Sequence, residues 1–238
     1  MPYIAIGLGG TDTMPHDPSV LARRAAACAV FALLAFCAVA DIQIDAYRAS
    51  GIDPGDVLTG TVLVSRVMPG DDKQIVAVTT YFTGKRETDR AVNVRLDVFR
   101  KRDGTLVPVL TRDFGTERGG NLAGGDLSIV DLDLDGTNDI IVSYDTHEDP
   151  LIDQRLVEIV VHADGAFRTA WSGVLEYDAT RAARKVAEER QDRFVREIDL
   201  AATMKTRGDA LVVNKTMLAV AGQRLGQPKT VQERFPLR

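Results

Sequence analysis

Alternating apolar and polar residues followed by tight-turn dipeptides are the feature that most constrains the fold of this chain. Between positions 92 and 98 every second residue is Val or Leu, the period-two pattern of a strand with one buried face. Asp103-Gly104 follows, a dipeptide typical of two-residue hairpin turns, and an apolar segment returns at 106–110. Pro108 lacks the amide hydrogen that a sheet ladder needs, which favours an edge position for the returning strand. The pattern predicts antiparallel β-structure.

Strands of this kind are predicted along most of the chain after position 41. The further candidates are residues 61–67, 74–82, 127–130, 139–144, 157–162 and 210–213. Residues 194–204 alternate in the same way and predict one more strand. Only residues 180–190, rich in Ala, Arg, Glu and Lys with few β-branched residues, predict a helix. We therefore expect a mainly β fold with one short surface helix near 180–190.

A faint internal repeat organises these strands. Residues 74–106 align with residues 139–167, and each copy reads as strand, long loop, strand, Asp-Gly turn and strand. The copies, about 61–112 and 127–175, are degenerate β-meander units of the kind that builds propeller blades. A closed propeller needs at least about four blades. We therefore predict an antiparallel meander of partial β-propeller-like blades, followed by a C-terminal hairpin region.

The first forty residues have the pattern of an export signal. Arg23-Arg24 precede an apolar run, 25–40, that contains no charge and ends in Ala-Val-Ala. A basic region, a short apolar region and small residues at its end are typical of a secretory signal peptide, and we place the cleavage after Ala40. Residues 1–13 contain no basic residue, which indicates that the start codon has been assigned too far upstream. The alternative is an uncleaved membrane anchor, although a spanning helix needs about 20 apolar residues.

Charge and cysteine content narrow the class of protein further. The chain has 29 basic and 34 acidic residues, a formal charge of −5, which argues against a nucleic-acid binder. Both cysteines, Cys28 and Cys37, lie in the apolar run, so a mature domain of residues 41–238 contains no disulfide. We expect a secreted or periplasmic protein with no membrane span after cleavage, stabilised by its core and by a metal ion.

One loop carries the pattern of a hard-cation site. In the segment 131–139, which we call the acidic loop, aspartates stand at positions one, three, five and nine and glycine stands at position six. Calcium takes about six to eight oxygen ligands, and glycine at that position allows a sharp turn around the ion. The predicted calcium ligands are Asp131, Asp133, Asp135, Thr137 and Asp139. Position twelve is Val142 rather than glutamate and the flanks are strand-like, so the loop is not an EF-hand. The alternative is an acidic surface turn without an ion.

The acidic loop and the strand that follows it, residues 131–144, resemble the FG-GAP/VCBS repeat group, the calcium-loop repeats of integrin α-chain propellers and of many bacterial exported proteins. The similarity extends weakly over residues 61–175. The resemblance implies propeller-like blades, calcium held between strands, and extracellular adhesion or ligand recognition. The first copy departs from the pattern, because its equivalent segment, 66–74, contains only Asp71 and Asp72 as acids.

No spacing in the chain matches a known catalytic constellation. The acidic residues and the histidine of loop 145–153 fit no zinc or metalloprotease pattern; they are Asp145, His147, Glu148, Asp149 and Asp153. We expect a non-enzymatic calcium-binding protein that recognises a protein or glycan at the cell envelope. The alternatives are an exported hydrolase that uses paired carboxylates in a cleft and a membrane-anchored envelope component.

Overall fold

The computed structural model of the chain describes residues 41–70, 72–84, 91–115, 122–146, 152–180, 192–206, 210–220 and 223–237. The predicted signal peptide, and all but the first residue of the predicted helix at 180–190, lie outside these ranges. The described residues after Asp41 belong to one compact unit. Within them, no helix combines the length and the apolar composition that a membrane crossing requires.

The described chain is built mainly of strands. Its helical segments are residues 41–49, the 3₁₀ turn Pro54–Asp56, the two residues 114–115 and the helix Leu200–Lys205. The strands are β1 (Val57–Ser65), β2 (Gln74–Thr83), β3 (Ala91–Arg102), β4 (Thr105–Asp113), β5 (Leu122–Val130), β6 (Asp139–Thr146), β7 (Asp153–Ala163), β8 (Ala166–Asp178), β9 (Arg193–Ile198), β10 (Leu211–Val220) and β11 (Gln223–Phe235). Strands β1–β4 form one antiparallel sheet in chain order, and β5–β11 form a second. The prediction of a mainly β, antiparallel meander is confirmed, whereas the propeller-like blades stay a prediction.

Two hairpin turns show why the chain reverses where the sequence predicts. Asp103 and Gly104 have φ values of 51° and 80°, and Asp164 and Gly165 have φ values of 54° and 81°. Positive φ at both central residues is the mark of a type I′ turn, whose twist suits the strands that it joins. Strand β4, which contains Pro108, lies at an edge of its sheet, as predicted.

The prediction of one strand over residues 194–204 is wrong. Strand β9 ends at Ile198, and the helix Leu200–Lys205 follows. The side chain of Asp199 accepts a hydrogen bond from the backbone amide of Ala202 at 2.9 Å. This N-cap satisfies an amide at the start of the helix, which favours the helix over a continued strand.

Residues 41–49 form a helix that the sequence analysis also missed. Its apolar side chains, spaced four and three residues apart, pack on the face of β2 and β3 that is turned away from the second sheet; they are Ile42, Ala46 and Ala49. Ser50, which follows the helix, donates a hydrogen bond at 2.6 Å to the buried carboxylate of Asp97 on β3. The expectation of only one helix is therefore corrected, because the described residues contain two helices elsewhere, while the helix predicted at 180–190 lies almost entirely outside the described ranges.

The two sheets share a core between β1–β4 and β5–β8. Val78 and Leu96 from the first sheet are buried in one cluster with Val142 from the second. Neighbouring residues on β6 and β7, such as Ile141 and Ile159, point to the opposite face and belong to another cluster. Strands β6 and β7 are therefore apolar on both faces.

An ion pair within this interface joins the two sheets. Nη1 of Arg112 on β4 lies 2.9 Å from Oε2 of Glu158 on β7, and Glu158 is only 2% exposed. The hydroxyl of Tyr144 donates a hydrogen bond at 3.2 Å to the other oxygen of Glu158, and Arg112 also donates to the hydroxyl of Thr169. Because a buried charge is costly without a partner, each sheet neutralises a charge of the other.

Strands β8 and β9 pair only between residues 176–178 and 193–195, and the second sheet bends at this short contact. Strands β8 and β11 are three positions apart in the sheet, which is about 14 Å in a flat sheet. The rings of Trp171 on β8 and Phe235 on β11 nevertheless lie 5.1 Å apart. Strands β9–β11 therefore fold over one face of β6–β8, and the core beneath them contains Ile159 and Leu211.

Candidate metal centre

The acidic loop connects β5 to β6 and is anchored at both ends. Val130, the residue before the loop, pairs directly with Asp139, the last residue of the loop, across strands β5 and β6. Leu132 is fully buried and packs in the cluster that contains Ile159 and Leu237. The side chain of Leu132 therefore anchors the loop in the core. This contact holds the polar residues on either side of Leu132 at the surface.

Two residues of the loop adopt the left-handed backbone conformation, with φ of 58° at Leu134 and 87° at Gly136. No atom lies within 4 Å of the place where a Cβ atom of Gly136 would stand, so glycine is needed there for its conformation and not for space. Leu134 is 55% exposed, and its conformation costs about 1–2 kcal/mol for a residue with a side chain. The two residues turn the backbone back on itself between the acids.

Backbone amides within the loop hold the carboxylates in place. The amides of Asp135 and Gly136 donate hydrogen bonds to the two oxygens of Asp131, at 3.1 and 3.0 Å. The amide of Asp135 also donates to Asp133 at 3.2 Å, and the amide of Thr137 donates to Asp135 at 2.7 Å. One oxygen from each of the three carboxylates lies within 4.8 Å of the others. Two unit charges about 4 Å apart repel by about 4 kcal/mol at the effective dielectric constant near a protein surface, so a bound cation would relieve repulsion here.

Asp139 is the most buried acid of the loop, at 6% exposure. Burial, and to a smaller extent the negative charges of Asp133, Asp135 and Asp131, raise the pKa of its carboxyl from 3.8 to about 7. Its Oδ2 accepts a hydrogen bond from the amide of Leu132 at 3.0 Å, which acts against this rise. At neutral pH and with no cation bound, the carboxyl of Asp139 is therefore about half protonated.

Four of the five predicted ligands face one cavity of about 310 Å³: Asp133, Asp135, Thr137 and Asp139. The opposite wall comes from the end of β7, from Arg168 on β8 and from Leu237. Asp131 joins Asp133 and Asp135 in the carboxylate cluster, and this cluster could hold a metal ion. The donors of the loop are all oxygens, which suits hard cations and does not by itself select calcium.

Asn138 links the acidic loop to the first sheet, a role that the sequence analysis did not foresee. Its backbone amide donates a hydrogen bond to the carbonyl oxygen of Arg66 at 2.8 Å. Its side-chain amide donates to the hydroxyl of Ser65 at the end of β1, also at 2.8 Å. Nothing in the local sequence indicates these bonds, because the partners are more than 70 positions away. The geometry of the loop is thus tied to the contact between the two sheets.

A second cavity, of about 360 Å³, lies where β6 ends and β7 begins. Asp145 and Asp153, both singled out in the sequence, line it. The other three residues of that group lie outside the described ranges; they are His147, Glu148 and Asp149.

The remaining charged walls of the second cavity come from strands that the sequence analysis did not connect with it. They are Arg155 on β7, Glu176 and Asp178 on β8, and Arg193 on β9. Nη1 of Arg155 lies 3.5 Å from Oδ1 of Asp145, and Nε of Arg193 lies 3.2 Å from Oδ2 of Asp178. Arg155 also contacts Asp126 on β5. The described walls of this cavity therefore carry four carboxylates and two guanidinium groups.

Comparison with known proteins adds no relative from which a function could be transferred. No protein-family model matches the chain, and no curated protein sequence or solved structure is significantly similar to it.

Proposed function

We propose that this chain is an exported, non-enzymatic calcium-binding protein that recognises another macromolecule at the cell envelope. The observation that carries the metal site is the convergence of Asp131, Asp133 and Asp135, whose oxygens lie within 4.8 Å of one another. An ion between them would offset their mutual repulsion and would replace the proton on Asp139. Its role is structural, because the loop is also bonded to the first sheet through Asn138.

Calcium is preferred over magnesium and zinc for reasons of ligand chemistry. Zinc sites in proteins use mainly nitrogen and sulfur, whereas the loop offers carboxylate and carbonyl oxygens. Magnesium keeps several waters and is usually held by one or two carboxylates. Calcium accepts many protein oxygens in a flexible geometry, which suits three carboxylates in a short loop with a fourth acid, Asp139, facing the same cavity.

Export and recognition rest on the sequence rather than on the site. The apolar run 25–40 after two arginines supports a signal peptide, and the location of both cysteines in that run is consistent with it. Recognition of a protein or glycan rests on the resemblance to FG-GAP/VCBS repeats. Mass spectrometry of the exported protein tests the first part: a mature N-terminus at Asp41 is expected, and retention of residues 25–40 would favour the membrane-anchored alternative.

Thermal melting with and without calcium tests the metal site. If the calcium concentration reaches about 100 times the dissociation constant, the free energy of unfolding rises by about 2.7 kcal/mol. For a chain of this size that gain corresponds to a rise in Tm of about 5–10 °C. The double variant Asp133→Asn/Asp135→Asn should lose the rise. Asp103→Asn is the matched control, because it removes one carboxylate at a turn where Asn is equally tolerated. A wild-type Tm that does not respond to millimolar calcium would contradict the proposal.

A hydrolase is the second candidate, favoured by the cavity that Asp145, Asp153, Glu176 and Asp178 line. Glycoside hydrolysis requires two carboxyl groups about 5–10 Å apart on either side of the bond that is cleaved. The assay is the release of reducing ends from cell-wall and plant polysaccharides. We expect no release by the wild type. Release that disappears in Glu176→Gln would replace the non-enzymatic proposal by this one.

A further inference from the structure

The loop that joins β1 to β2, residues 66–73, has the same place in the first sheet that the acidic loop has in the second. Each of them joins the first two strands of its sheet in chain order. Ser65 pairs with Gln74 across residues 66–73, which we call the first loop. Val130 pairs with Asp139 across the acidic loop, and the same number of residues separates the two members of each pair. The two connections are therefore equivalent in position.

The residue that closes each loop makes the same hydrogen bond. Oε1 of Gln74 accepts a hydrogen bond at 3.0 Å from the amide of Val67, seven positions earlier. Oδ2 of Asp139 accepts one at 3.0 Å from the amide of Leu132, also seven positions earlier. Val67 and Leu132 are fully buried, and the closing side chains are only 1% and 6% exposed. A buried side-chain oxygen thus holds the start of both loops.

The two loops differ in the second polar atom of the closing side chain. Nε2 of Gln74 donates a hydrogen bond at 2.7 Å to the carbonyl oxygen of Asp72, two positions earlier. The residue two positions before Asp139 is Thr137, and both line the cavity of the candidate metal centre. An ionised carboxylate has no hydrogen to donate, and Oδ1 of Asp139 has no donor among the described residues. In the acidic loop, two acceptors therefore stand where the first loop has a donor and an acceptor.

We propose that calcium closes the acidic loop reversibly, in the place where the side-chain amide of Gln74 closes the first loop permanently. The inference rests on the proposed calcium site and specifies how the ion regulates the fold. Calcium bound between Asp139 and the carbonyl oxygen of Thr137 joins two acceptors, as the amide nitrogen joins the two sides of the first loop. Without the ion, the carboxylates of the acidic loop repel one another and the loop opens.

Opening of the acidic loop reaches the contact between the two sheets through Asn138. This residue lies between Thr137 and Asp139, so an ion bound by both fixes the backbone on either side of it. The amide of Asn138 donates to the carbonyl oxygen of Arg66, and its side chain donates to the hydroxyl of Ser65, both at 2.8 Å. Loss of the ion therefore weakens these bonds to the first sheet, whereas the first loop stays closed.

Amide hydrogen exchange of the purified protein, followed by NMR at pH 8 in EDTA and in calcium, tests the inference. In EDTA, the amides of Leu132 and Asn138 should be protected at least tenfold less than the amides of Val67 and Met68, which Gln74 holds. Calcium at about 100 times its dissociation constant should slow exchange at Leu132 and Asn138 by up to roughly 100-fold, because the opening that permits exchange releases the ion. The difference between the two loops should then disappear.

The variant Asp139→Gln tests whether the two loops are equivalent. Its side-chain amide can donate to the carbonyl oxygen of Thr137, as that of Gln74 donates to Asp72. The amides of Leu132 and Asn138 should therefore be protected in EDTA as well as in calcium.

Gln74→Glu is the matched control, because it removes the donor from the first loop and leaves the acidic loop unchanged. The amides of Val67 and Met68 should exchange at least tenfold faster, and calcium should not restore their protection. The first loop cannot bind the ion instead, since other residues stand where the acidic loop has its first three aspartates; they are Arg66, Met68 and Gly70.

Failure of this inference can be told apart from failure of the calcium site by calorimetry. If calcium binds but the two loops are equally protected in EDTA, the reversible closure is overturned and the calcium site stands. If Asp139→Gln keeps the wild-type protection of the first loop but exchanges as fast as the wild type at Leu132 in EDTA, the equivalence of the two loops is overturned. If calorimetry detects no calcium binding, the proposed function falls together with the inference.

Discussion

Replacing Asp139 by asparagine removes the buried charge of the acidic loop and keeps an oxygen that can accept the hydrogen bond from the amide of Leu132. In the metal-free protein, burial and the neighbouring carboxylates raise the pKa of Asp139 from 3.8 to about 7. A raised pKa means that the folded state holds the proton more tightly than the unfolded state. The free energy of unfolding therefore falls as the pH rises from about 4 to about 7, and then levels off. At about 1.4 kcal/mol per unit, the loss is at most about 3 kcal/mol at pH 6 and about 4 kcal/mol at pH 8.

Urea unfolding of the wild type and of Asp139→Asn in EDTA measures this loss, because all other titrating groups are common to the two proteins. The variant should be more stable by about 1 kcal/mol at pH 4.5 and by up to about 4 kcal/mol at pH 8. With saturating calcium the order should reverse, since the variant lacks a charged ligand. A difference in EDTA that stays constant between these two pH values would refute the electrostatic reasoning.

The packing around the loop and between the sheets gives three more predictions. Glu158→Gln should lower the free energy of unfolding, measured in urea, by about 3 kcal/mol, because it removes the counter-charge of Arg112. The double variant Arg112→Met/Glu158→Leu should recover most of that loss, and no recovery would contradict the role given to this buried ion pair. In the same assay, Leu132→Ala at a fully buried position should lower the free energy of unfolding by about 3–5 kcal/mol. Leu134→Ala at an exposed position should lower it by less than about 1 kcal/mol, and equal losses would contradict the claim that Leu132 anchors the acidic loop in the core. Asn138→Ala should cost about 1 kcal/mol and should speed amide exchange at the end of β1, and unchanged exchange there would count against the link to the first sheet.

The strands that could be predicted from the sequence are those with one buried face and a defined turn, such as β3 and β4 around Asp103-Gly104. Strand β11 shows no such alternation because it is an edge strand and is exposed along almost its whole length. The helix 41–49 has an apolar stripe of only three residues, which is too short to predict a helix from the sequence. The stripe is buried only because it packs on the first sheet. At Asp199 a local hydrogen bond to the helix start outweighs an alternating pattern that predicts a strand.

The acidic cluster could be predicted because its residues lie within nine consecutive positions, so their spacing and one glycine already determine how the carboxylates converge. The bonds of Asn138 and the ion pair of Asp178 and Arg193 depend instead on contacts between distant parts of the chain. Asp178 and Arg193, for example, meet only because β8 and β9 pair over three residues. No local pattern encodes such a register.

Isothermal titration calorimetry of the metal-free protein with calcium tests most directly the central claim that the acidic loop binds this ion. We predict a single saturable site that binds more tightly at pH 8 than at pH 6, because Asp139 has to lose its proton. The site should be lost in Asp133→Asn/Asp135→Asn and kept in Asp103→Asn. Absence of binding heat at millimolar calcium, or equal binding by the wild type and the double variant, would contradict the claim.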